Sequence, residues 1–210
     1  MALSWKRLSA FLGMLGGIIF VIVTFIAMLT YPGGYSFLDN YFSDLGKTVI
    51  NGTPSMLNYA LFIIACSSAA ICLIPFLFAM HTAFTGTKSL SILSWIGTIF
   101  GFVAAPNLSL LSIFAANVQG GLHGLTTLLF FILITIGILI YSVAIVLNKE
   151  YPNIYAIIGF IAVIVCFLLI GAAFIPAFAF FGSALWQKVS VYALVLWSVF
   201  QGYYLLKIFQ

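Results

Sequence analysis

Six long apolar runs separated by short polar or turn-rich breaks make up nearly the whole chain, at about residues 10–31, 55–80, 90–115, 123–147, 154–181 and 189–208. About 20 consecutive apolar residues suffice to carry a helix across a roughly 30 Å hydrocarbon core. Lipid offers backbone N–H and C=O groups no partner, so a spanning segment satisfies them as a helix or in a closed barrel. Barrel strands would show as short segments of alternating polarity, and none is present. The pattern predicts an all-α fold: a polytopic transmembrane helical bundle of six spans, with residues 1–210 as a single transmembrane domain and no separate soluble one.

The breaks carry their own signals. Pro32-Gly33-Gly34 stops the first span, and Thr53-Pro54-Ser55 supplies a capping hydroxyl and a first-turn proline for the second. Pro75 predicts a kink in the second span, and Pro176 lies near the end of the fifth. Pro106 removes a backbone hydrogen bond from the third span and frees the Phe102 carbonyl, so a broken helix is expected at Pro106-Asn107. Gly13-x-x-x-Gly17 offers the first span a flat face for a neighbour. The first run lacks a small-x-small cleavage site after Trp5-Lys6-Arg7 and reads as a retained helix.

Composition agrees with this pattern: 65% of the 210 residues are hydrophobic and 5% charged, where soluble domains carry about 25% charged residues. The net charge of +4 is spread over ends and loops, which excludes a nucleic-acid surface and serves instead as an orientation signal. With the N-terminus inside, Lys6, Arg7, Lys88, Lys149 and Lys207 fall on the cytoplasmic side, leaving Lys47 and Lys188 outside. Both termini are therefore expected in the cytoplasm, in an integral protein of the plasma membrane. Cys66, Cys72 and Cys166 lie inside apolar runs without metal or redox spacing and read as structural thiols.

On this topology the polar residues converge on the outer side: Asn58, Asn107, Asn117, Gln119 and His123, together with the segment 31–46. That segment holds two of the three acidic residues. Ser36-x-x-Asp39 has capping-box spacing, and Gly46 can terminate the turn. Phe37, Leu38, Tyr41, Phe42 and Leu45 fall at roughly helical spacing, with Asn40, Ser43 and Asp44 partly to another side. A short interfacial helix in the first outer loop is expected, lying flat or dipping into the mouth of the bundle.

Asp44 has two readings: a cap or a solvated partner of Lys47, or an inward carboxylate bonded to Asn58, Asn107 or His123. His123 opens a long apolar helix beside Gly120, Gly121 and Gly124, as a packing histidine or as an acid–base group. His81 reads as an interfacial residue on the opposite side. Too few His, Cys, Asp or Glu residues gather on the outer side for zinc, so neither a metal nor another cofactor is expected. Ser43 with His123 and Asp44 lacks a Gly-x-Ser-x-Gly elbow. Asn51-Gly-Thr53 and Asn107-Leu-Ser109 match glycosylation acceptors.

Tyr35-Ser36, Asn40, Ser43-Asp44-Leu45-Gly46, Asn58 and a later helix-opening histidine resemble the DUF998 family, small multi-pass membrane proteins of unknown function. More distantly, the Ser-Asp-x-Gly element is similar to the family of the FGF-receptor-activating protein and the damage-regulated autophagy modulators (Frag1/DRAM/Sfk1). The first resemblance implies no activity; the second implies a role in lipid organisation. Together they imply a shared polar cluster of Asn40, Ser43, Asp44, Gly46, Asn58 and His123.

The expected function is a non-enzymatic one. An outward-facing pocket lined by Asn40, Ser43, Asp44, Asn58, Asn107 and His123 would bind a lipid headgroup or small polar ligand, with membrane lipids as partners and no nucleic acid. The 17% aromatic content suits acyl-chain and interfacial contacts. The alternative is an intramembrane lipid-modifying enzyme using Asp44 and His123 in acid–base chemistry. A small transporter ranks third, since no inverted repeat is visible.

Overall fold

A computed structural model describes residues 4–175, 177 and 182–209. Six helices carry the chain: α1 Trp5–Leu29, α2 Met56–Thr82, α3 Lys88–Ile113, α4 Gly120–Leu147, α5 Ile154–Ala172 and α6 Ser183–Ile208. All six are long and apolar enough to cross a membrane, so this is an integral multi-pass membrane protein. Their outer sides expose Ile, Leu and Phe, as lipid-facing helices do.

Each helix packs on its neighbours in sequence, and α6 returns to α1, closing a ring. Hydrophobic burial gives helices little reason to associate in lipid, so the contacts depend on close packing at small residues. Gly13 and Gly16 of α1 face Phe76 and Cys72 of α2, whereas Gly17 faces Val195 and Ser198 of α6. The expected flat Gly13/Gly17 face is thus split between two neighbours, because residues four apart on a helix straddle the ring's interior. Lys6 lies 5.4 Å from the Phe209 ring, so both chain ends share one end of the ring. We call it the terminal end, and the other the plug end.

Aromatic side chains fill the middle of the ring. Trp197 packs edge-on against Phe76, 5.9 Å between ring centroids. The buried Tyr141 hydroxyl is satisfied by Thr98 Oγ1 at 2.5 Å. Toward the terminal end, His81 is buried rather than interfacial: its Nδ1 meets Ser94 Oγ at 2.8 Å, and its ring lies 4.3 Å from that of Trp95.

Three expectations about the spans change in ways that bear on the site. α3 runs unbroken through Pro106 to Ile113. There Asn107 Nδ2 donates to the Val103 carbonyl at 2.8 Å, a side-chain bond within the turn that proline disrupts. α5 closes at Ala172 instead of 181. Ile175 precedes a proline, and a pre-proline residue is pushed away from the α region; the expectation for Pro176 itself lies outside the described residues. α6 begins at Ser183, six residues before the expected start, which places Gln187 and Lys188 within a spanning helix.

The segment after α1 is not one capped α-helix. Ser36 and Asp39 form the expected local motif, with Ser36 Oγ donating to Asp39 at 2.5 Å, but it closes a single turn. A 3₁₀ turn follows at Phe42–Gly46. Its tightness suits a segment pressed against α1, α2, α3 and α6 over the end of the ring. A small hairpin, β1 Val49–Ile50 and β2 Thr53–Pro54, then leads into α2. Asn51 and Gly52 turn it with φ of +50° and +77°, as an Asn-Gly hairpin turn requires.

Candidate functional site

The Phe42–Gly46 turn acts as a plug. Gly46 admits the Phe62 ring, since a Cβ there would sit 2.4 Å from Phe62 Cδ1. Phe42 points into the ring, edge-on to Phe20 and Tyr192 at 5.7 and 5.6 Å. Beneath it runs an apolar bore of about 110 Å³, walled by α1, α2, α3, α4 and α6 and reaching down to Trp197.

Beside the plug lies a second cavity, a cleft of about 580 Å³ with Tyr41, Asp44, Lys47, His123, Ser183 and Gln187 as its polar side and apolar residues, the last turn of α5 among them, as the larger part of its wall. Ser43, Thr127, Phe131 and Gln187 line both cavities. They form the neck between cleft and bore.

Asp44 is 9% exposed. One carboxylate oxygen accepts from the Tyr41 backbone N–H at 2.8 Å, and the other pairs with Lys47 Nζ at 2.6 Å. It therefore caps the plug and neutralises Lys47, with the carboxylate buried and the lysine side chain 34% exposed. None of its hydrogen bonds goes to Asn58, Asn107 or His123. His123 Nδ1 lies 2.8 Å from the Leu111 carbonyl and 3.0 Å from that of Phe114. Carbonyls only accept, so Nδ1 carries the hydrogen and caps the end of α3. Asp44 and His123 thus share a cleft without a bond between them.

The remaining expected residues serve the frame. Asn40 Oδ1 accepts from the Ser36 N–H at 2.8 Å, and its carbonyl accepts from Tyr35 and Lys188. Burial, with the Asp44 carboxylate adding to it, raises the Tyr35 phenol's pKa above its ordinary value and keeps it a neutral donor. Asn58 is 2% exposed and donates to the Ala27 carbonyl at 2.6 Å, tying the start of α2 to the end of α1. Asn117 makes two bonds to Thr48, at 3.1 and 3.0 Å. Asn40, Asn58 and Asn107 line neither cavity.

Asn58→Leu is expected to remove about 1–2 kcal/mol: Thr30 Oγ1 still serves the Ala27 carbonyl, but the buried Ser55 hydroxyl loses its acceptor, Asn58 Oδ1. For a chain of this size that lowers Tm by about 2–8 °C. A thermal melt in detergent with no downward shift would refute this role.

Sequence reasoning missed Gln187, Thr127 and Lys188. Gln187 Oε1 accepts from the Phe42 N–H at 2.8 Å, fastening the plug to α6. Tyr41 and Ser183 share a hydrogen bond between their hydroxyls. Lys188 is fully buried, donating to the Asn40 and Ala184 carbonyls between the rings of Tyr35 and Phe37. The available signal was a lysine and a glutamine beside an apolar run. Among the described residues no three His, Cys, Asp or Glu side chains gather as a metal site would need.

Neither curated proteins nor solved structures gave a match. Residues 14–202, most of the chain and all six helices in whole or part, match a family described as "Protein of unknown function (DUF998)". The chain belongs to the DUF998 family of small multi-pass membrane proteins.

Proposed function

We propose that this protein binds a membrane lipid at the plug end, headgroup in the cleft and part of an acyl chain in the bore. The observation that carries this reading is the neck, where four residues line a cavity bearing charged and polar groups on one side and an apolar one without charge on the other. A ligand filling both must be amphipathic, and a lipid is the amphipathic molecule that a membrane supplies in excess. Asp44 and Lys47 neutralise each other on the cleft wall, which suits a headgroup that is itself neutral overall, as a zwitterionic one is. In this reading the plug faces outward from the plasma membrane, and the basic terminal end, with Lys6, Arg7, Lys88, Lys149 and Lys207, faces the cytoplasm.

Val191 lines the bore one helical turn beyond Gln187. Val191→Trp is expected to fill the bore below the neck and to remove tightly held lipid. Mass spectrometry of lipid retained through extensive detergent washing reads the outcome. Wild-type protein that keeps no lipid, or a folded Val191→Trp protein with the wild-type lipid complement, would end the proposal.

A further inference from the structure

We infer that the neck recognises the acyl ester carbonyl of a glycerolipid, a refinement that rests on the lipid reading above. Three side chains at the neck have hydrogen-bond donors to spare. The Phe42 N–H can only donate, so Gln187 must turn Oε1 toward it, leaving Nε2 with no partner among the described residues. Gln187 lines both cavities, so this spare amide donor lies at the neck. Thr127 Oγ1 is buried and unpartnered among the described residues. Its contrast with its neighbours is informative: Thr126 and Thr135 on the same helix donate to carbonyls one turn back, at 2.8 and 2.6 Å. Ser43, on the plug, adds a third hydroxyl with no partner among the described residues.

A buried donor left unmade, as Thr127 Oγ1 is, is costly, so a ligand that fits the neck brings an acceptor. Gln187 Nε2 only donates, and the two hydroxyls can rotate to do the same. The acceptor is also uncharged. No charged residue lines the bore, and the one cation of the plug segment beside the neck, Lys47, is already paired with Asp44. A fatty-acid carboxylate there would lack a counter-charge, whereas an ester carbonyl is a neutral acceptor carrying an acyl chain on one side and a glycerol headgroup on the other. Ester at the neck, part of one chain in the bore and headgroup beside Asp44 and Lys47 satisfies all three regions together.

The test compares a diester phosphatidylcholine with its diether analogue of the same headgroup and chain lengths, each offered to the full chain in detergent micelles, with retention read by native mass spectrometry. The diether lacks only the carbonyl oxygens. The diester is expected to bind about ten-fold more tightly, equivalent to about 1.4 kcal/mol. In the near-isosteric double variant Ser43→Ala/Thr127→Val, which keeps the Gln187–Phe42 bond, diester binding should fall toward the diether level while diether binding stays unchanged. A general loss of structure would weaken both lipids alike, and if this variant does not fold the wild-type comparison decides alone. Equal binding of the two lipids by wild type overturns the carbonyl site and leaves the lipid reading standing; binding of neither overturns both.

Discussion

Gly202→Val is expected to lower Tm by about 2–12 °C, through an overpacking cost of about 1–3 kcal/mol. Gly202 sits where α6 meets α1 and completes the ring. A Cβ there would lie 2.6 Å from Met14 Cγ and 2.8 Å from the Ala10 carbonyl oxygen. The methionine can swing aside, but the carbonyl belongs to the α1 backbone and moves only if the helix does. In lipid that separation gains nothing, because helix association depends on the packing being lost. Gly202→Ala should show the same effect at smaller size. Gly121 has no atom within 4 Å of its would-be Cβ, so Gly121→Ala should leave Tm unchanged. A Gly202→Val protein melting with wild type would mean that α1 and α6 do not close the ring as described.

The six spans were legible because hydropathy alone identifies a segment that lipid surrounds. Their ends were not, wherever hydropathy and hydrogen bonding disagree. Residues 154–181 form one apolar run, yet α5 ends at Ala172 because a proline downstream outweighs apolar continuity. Conversely, Gln187 and Lys188 read as a polar break, yet they lie in α6 because the plug supplies a donor to Gln187 and an acceptor to Lys188. The break expected in α3 failed for a related reason: losing one backbone bond at Pro106 is tolerable in a long helix whose remaining turns are intact.

The candidate site was legible in the same partial way. Polar residues stand out in an apolar chain, so Ser43, Asp44 and His123 could be picked before any geometry was known, and all three line the cleft. What a polar residue bonds to could not be read. Asn58 and Asn107 find backbone carbonyls, at Ala27 and Val103, and carbonyls are present at every position in a sequence. Thr127 was hidden because a threonine in a spanning helix ordinarily bonds back to its own turn, and Thr127 is set apart only by not doing so. Gln187 and Lys188 required knowing that α6 lies beside the plug, about 145 residues away in sequence, a pairing that follows from ring closure and from no local pattern.

Lys188→Met is expected to loosen the plug while sparing the bundle, and the separation of those two effects is the point of the experiment. Lys188 has no carboxylate within ion-pair distance among the described residues; its ammonium is held by the Asn40 and Ala184 carbonyls and by the faces of Tyr35 and Phe37. A charge so placed is costly to bury, and methionine fills a similar volume without that cost, so Tm should hold or rise. The plug, however, loses a charged hydrogen bond worth about 1.5–3 kcal/mol. Tyr35 still reaches the Asn40 carbonyl at 3.2 Å and Gln187 still holds Phe42, so the turn should remain in place but open more often. Amide exchange across residues 36–47 should then accelerate by about 10- to 100-fold, the factor that this loss of free energy gives, with exchange in α2 and α4 unchanged. Uniform acceleration throughout the chain would make Lys188 a general stabilising residue, and unchanged exchange at 36–47 would remove its role as the latch. If the plug does open faster, lipid retained behind Phe42 should also leave faster, because the side chain that closes the bore rides on the same turn that Lys188 secures.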